Sequence, residues 1–230
     1  NGAIDAGMQA LSKKIKGKQV LLIVLALLFI GIAALGVWQR ENIAALCVAL
    51  KYRSAEEIAV KEKENEQKTK ELLTSLTDLP MRELSEEERA ELESGKLSEE
   101  EAKNIVKGGE TEDNGNSSAV DDIIARIYVL RAQYLSSLDA LLGQAKAEVL
   151  KIPEEKRTTA TLLNLGDVFI ARGTALEGKC DAQMEALLTE LSQQLKKENK
   201  STKIISEIRS TYVSEKRLKK AALYSKYYPK

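Results

Sequence analysis

The chain has 230 residues, 35 basic and 35 acidic side chains, a formal charge of zero and no histidine. Its length allows one or two domains. The missing imidazoles exclude the commonest general acid–base group, metal ligand and pH switch. Two cysteines, Cys47 and Cys180, are too few for a disulfide framework or a cysteine-type zinc site. Aromatic residues make up 4% of the chain, charged residues 30%, and there are only 3 prolines. This composition favours long helices over sheets, so the expected class is all-α.

A basic tail, residues 1–18, precedes an uncharged run from Gln19 to Trp38. Those 20 residues, at about 1.5 Å each, match a hydrocarbon core of about 30 Å. The run lacks the polar stripe of a buried soluble helix. It is also longer than the roughly 7–15 apolar residues of a cleavable signal peptide. It is read as a single transmembrane helix with Trp38 at the interface. Lys13, Lys14, Lys16 and Lys18 outweigh the dispersed Arg40, Lys51 and Arg53. The positive-inside rule then puts the N-terminus in the cytoplasm of a bacterial cell and the rest outside the plasma membrane.

Residues 39–79 read as a helical stalk. Ile43, Leu46 and Leu50 form a short apolar seam that fades into KEKENEQKTKE and returns at Leu72, Leu73 and Leu76. Three sustained heptads are absent, so a coiled coil is not specified, although the seam permits self-association. Residues 80–119 read as an acidic, partly flexible linker. From Met81 to Ser118 there are 12 acidic and 5 basic residues. Two Ser-Glu-Glu-Glu units, beginning at Ser85 and Ser98, place serine three residues before glutamate, the pattern of a capping box. Each predicts a short helix, one ending near Gly95 and the other near Gly108. The following GGETEDNGNSS fits a calcium loop poorly, because its first position is Glu110 and its twelfth is Asp121. It reads as polar connection, and no metal or cofactor is expected.

From Val120 onward, apolar residues recur at helical spacing. A first helix carries Ile123, Ile127, Leu130, Tyr134, Leu138 and Leu141 and stops at Pro153. A second runs from about Thr159 to Lys197 and contains Gly166, Gly173 and Gly178, where it either bends or admits a close neighbour. A third begins near Ser201. Short connections predict an antiparallel three-helix bundle over residues 120–230. From Lys196 to Lys230 there are 11 basic and 3 acidic residues. Lys216, Arg217, Lys219 and Lys220, among tyrosines, form a candidate surface for an anionic partner; the alternatives are a solvated face or pairing with the acidic linker.

No nucleophile motif or phosphate loop occurs. Asp139, Glu148, Asp167 and Glu177 fall on amphipathic helices, where a solvated or salt-bridged carboxylate is ordinary. The expected function is therefore not enzymatic. The chain reads as a membrane-anchored helical interaction or scaffold protein with an extracytoplasmic bundle, meeting an unidentified protein or an anionic envelope polymer. An outward-facing bundle argues against nucleic acid. Two alternatives are a ligand-sensing bundle and a cytoplasm-facing scaffold that binds anionic partners.

Overall fold

The computed structural model describes residues 55–109 and 118–227, and these contain helices and no strand. The helices are α1 (Ala55–Thr74), α2 (Glu86–Glu93), α3 (Glu99–Val106), α4 (Ala119–Lys151), α5 (Thr159–Lys197) and α6 (Lys203–Tyr227), with a 3-10 turn at Glu154–Lys156. The fold is all-α. The basic tail, the 19–38 run, Cys47, the 39–54 part of the stalk seam and the 110–117 loop lie outside the described residues. Among the described residues no helix is long and apolar enough to cross a membrane.

The helix boundaries follow from local chemistry. Ser85 and Ser98 each accept a bond from the backbone N–H three residues on, and Glu88 and Glu101 accept from the serine backbone N–H groups. Ser118 and Asp121 close a third box at the start of α4. That one was legible as serine followed three residues later by an acid, but it was hidden in what read as linker. Three helices end in Schellman turns, in which the second residue past the cap donates back to the carbonyl five positions earlier. Lys96 donates to the Glu91 carbonyl at 2.9 Å, Gly109 to Asn104 at 3.0 Å and Lys200 to Leu195 at 2.8 Å. These turns need a left-handed residue, supplied by Gly95 (φ +73°), Gly108 (φ +104°) and, less commonly, Asn199 (φ 55°). Helix α4 stops because Ile152, before Pro153, is extended (φ −76°, ψ 124°). Arg157 Nε donates to the Ile152 carbonyl at 2.8 Å and closes the turn. Helix α5 then runs unbroken past its glycines. At Gly173 an added Cβ would lie at ordinary contact distance, 3.6 Å, from Leu141.

The expected division into a stalk and a separate three-helix bundle is not what the described residues show. Helix α6 lies between α1 and α5. Ile58, fully buried, packs with Leu218 and Ala221. Asn65 Nδ2 donates to the Thr211 carbonyl at 3.0 Å, so α1 and α6 are antiparallel. On the other side, Arg209 pairs with Glu185 and Tyr212 with Asp181, which makes α5 and α6 antiparallel. Arg126 pairs with Glu190 and fixes the α4–α5 hairpin. The body is thus a four-helix bundle in which α1, the second half of the expected stalk, supplies one member. One core joins Leu73 of α1 to Ile124, Ile127, Met184, Leu188, Leu191 and Ile208. A helix with a long polar face can join a core when a single narrow stripe is apolar, and α1 spends only Ile58, Thr69 and Leu73 on it.

The acidic segment is also part of the body. Met81, Leu84, Leu92, Ala102 and Val106 are buried in the same core. Arg82 N–H donates to the Val106 carbonyl at 3.0 Å, which joins the two ends of this segment. Lys103 and Lys107 both reach Asp122 of α4 at 3.2 Å. The Thr77 hydroxyl donates to Asp121, tying the end of α1 to the start of α4. The charge count predicted a tether, because twelve acids conceal five apolar residues that share one side. Beyond the bundle, α4 and α5 continue as a two-helix hairpin burying Ala145, Val149, Leu162 and Phe169.

Two measurements check this architecture. Leu73→Ala should destabilise the protein by about 2–5 kcal/mol in denaturant unfolding, the cost of a core truncation; an independent stalk would give almost none. The Arg82 side chain holds the Glu88 carboxyl low, at about 2. A depressed carboxylate contributes stability above its ordinary value near 4.3 and loses it as pH falls through the folded value. A carboxyl-carbon NMR titration of Glu88 should give a midpoint near 2, and Arg82→Gln should raise it toward 4.3.

Candidate functional site

The four cations singled out on the last helix do not form one surface. An α-helix turns 100° per residue, so positions 216, 217, 219 and 220 cannot all face the same way. Lys216 and Lys220 turn toward α5. Lys216 Nζ lies 2.7 Å from Asp181 and 3.1 Å from Glu177, and Lys220 Nζ lies 2.7 Å from Glu177. Lys219 turns toward α1, with Glu62 at 3.3 Å and Glu66 at 3.4 Å. The pairing acids belong to α1 and α5 and not to the acidic segment. Burial alone would lower the lysine pKa values; for Lys216 and Lys219 the facing carboxylates outweigh it and the net direction is upward.

Arg217 lines a different feature, an open groove between α1 and α6. Lys61 and Lys68 of α1 and Arg209 of α6 share its walls with Ser210 and Ser214. Arg209 is engaged by Glu185 through two contacts of 2.8 Å, and Lys61 pairs with Glu64. The α1 cations were invisible to the sequence reading, which treated α1 as a separate element.

Two buried polar clusters join α6 to its neighbours. In the first, the Tyr212 hydroxyl donates to Asp181 at 2.6 Å and lies 3.2 Å from Cys180 Sγ, while the Lys216 ammonium stands 5.1 Å from the centre of the Tyr212 ring. Burial pushes the Cys180 thiol up to about 11, so it is protonated near neutral pH and a poor nucleophile. In the second, the Arg131 guanidinium of α4 donates to both oxygens of Glu215, at 2.7 and 3.0 Å, and reaches Glu83 at 3.3 Å. Arg131 and Glu215 side chains are 8% and 10% exposed, so this bidentate pair is almost fully withdrawn from water.

Of the four carboxylates noted in the sequence, Asp139 and Asp167 are exposed on their helices, Glu148 pairs with Lys151, and Glu177 holds Lys216 and Lys220. The structure does not bring them together. Among the described residues, no group of three or more acids or cysteines is placed to hold a metal. Comparison with protein-family models, with curated proteins and with solved structures gives no match for this chain.

The second cluster yields a direct expectation. Arg131→Met leaves the Glu215 carboxylate buried without its cation, and should cost about 3–5 kcal/mol in denaturant unfolding. Adding Glu215→Leu removes the orphaned charge and should restore most of that loss.

Proposed function

We propose that this protein is a membrane-anchored scaffold whose helical body is held close to a bilayer outside the cytoplasm, where it meets a protein or an anionic envelope polymer. The observation that carries the reading is the place of α1. The uncharged run ends at Trp38 and α1 begins at Ala55, so only residues 39–54 separate the span from a helix packed into the bundle. Fully extended, those 16 residues reach no more than about 55 Å. A body on so short a tether has a high effective concentration at the membrane surface and needs no strong affinity for a neighbour there.

The direction of the helices adds to this. The start of α1 lies beside Leu218 and Ala221, near the end of α6, and the α4–α5 hairpin runs on from the same end of the bundle. The hairpin tip, with Leu150 59% exposed, therefore lies on the side from which the anchor enters. Contacts between helices of the body occupy Lys216, Lys219, Lys220, Arg131 and Arg126. The α1–α6 groove is the first place to look for an anionic partner.

Orientation is the decisive test. Lys96→Cys, exposed beyond α2, should react with a membrane-impermeant thiol reagent on intact cells carrying Cys47→Ala; Cys180 can stay because it is buried. Reaction only after lysis would place the body in the cytoplasm and overturn the extracytoplasmic reading.

A further inference from the structure

Between α1, the 82–89 segment, α4 and α6 lies a cavity of about 270 Å³. It is lined chiefly by charged side chains: Glu66, Glu83 and Glu215 against Arg89, Arg131 and Lys219. Three carboxylates and three cations leave it formally neutral. Tyr128 also lines it and is 3% exposed, yet its hydroxyl has no hydrogen-bond partner. A buried hydroxyl without a partner costs roughly 1–3 kcal/mol, and such a group in a folded protein calls for an explanation.

Other groups around the cavity have spare capacity. Arg89 has only a 3.9 Å contact with Glu86 in reach. Arg131 spends its short bonds on Glu215 and reaches Glu83 only at 3.3 Å, leaving guanidinium protons unused. Glu66 meets Lys219 at 3.4 Å. The donors Tyr128, Arg131 and Arg89 suit a carboxylate. Glu66 and Glu83, each held only by a long contact, suit an ammonium. A ligand carrying both charges would leave the cavity neutral, whereas an anion or a cation alone would add an uncompensated charge beside a buried ion pair. The volume is below the roughly 300–1,000 Å³ of pockets for drug-sized molecules, so the occupant is smaller than those.

We infer that the cavity bounded by Tyr128, Arg131, Arg89, Glu66 and Glu83 binds a small zwitterion of the amino-acid class. This goes beyond the membrane-scaffold reading and stands or falls without it, since the cavity is formed by the folded body alone. The test is isothermal titration of the full chain, kept in detergent, with each of the twenty standard amino acids, followed by the N-acetyl and amide derivatives of any that binds. At least one amino acid should bind at one per chain and raise Tm. Blocking either of its charges should weaken binding at least tenfold. Tyr128→Phe removes only the unpartnered hydroxyl and leaves the packing intact; it should raise Tm without ligand, because the unpaired buried group is gone, and weaken binding at least tenfold. Absence of binding by all twenty, unchanged affinity in Tyr128→Phe, or equal affinity for a blocked derivative would overturn the assignment and leave ordered water as the occupant.

Discussion

Helix α6 brings Lys216, Lys219 and Lys220 into the bundle within five positions, and the rest of the structure depends on neutralising them. A helix so charged cannot bury one face against a single neighbour, because cations point to both sides. Two neighbours solve the problem. Helix α5 supplies Glu177 and Asp181, and α1 supplies Glu62 and Glu66. The apolar residues of α6, Ile205, Ile208, Tyr212 and Leu218, give the attraction. The ion pairs add little net stability by themselves, but they make any other arrangement of α6 costly, since a displaced lysine would remain desolvated without a carboxylate.

The Arg131–Glu215 pair extends the same logic across the core. It joins α4 to α6 where no short loop connects them, and its two parallel bonds fix both rotation and height of one helix against the other. Glu83 approaches the same guanidinium, so the segment before α2 is positioned by a charge buried in the bundle. The polar cavity lies beside this cluster, and Tyr128 is among the residues that line it.

Recruitment of α1 and of the acidic segment bears on the proposed anchoring. A flexible linker between span and bundle would let the body sample a large volume. Here the first described helix is already core, and Met81, Leu84, Leu92, Ala102 and Val106 hold the segment that follows it. If the 19–38 run spans a membrane, only residues 39–54 separate it from this body.

The sequence by itself determined the helices and their ends. Serine three residues before an acid, glycine after the last turn and proline after Ile152 act within a few residues, so their effects need no partner from elsewhere in the chain. It also determined the all-α class through spacing and composition, and it marks the 19–38 run. Only the tertiary structure decided that α1 is a bundle member and that the acidic stretch is docked, because Ile58, Leu73 and Leu92 are too sparse to announce a face until another helix covers them. The same holds for the cations of α6. Their clustering was legible, but charge counts carry no direction, and Glu177, Asp181, Glu62 and Glu66 come from helices about forty and one hundred and fifty residues away along the chain. Partners that distant are set by packing, which is why the pairs and the cavity beside them could be read only from the fold.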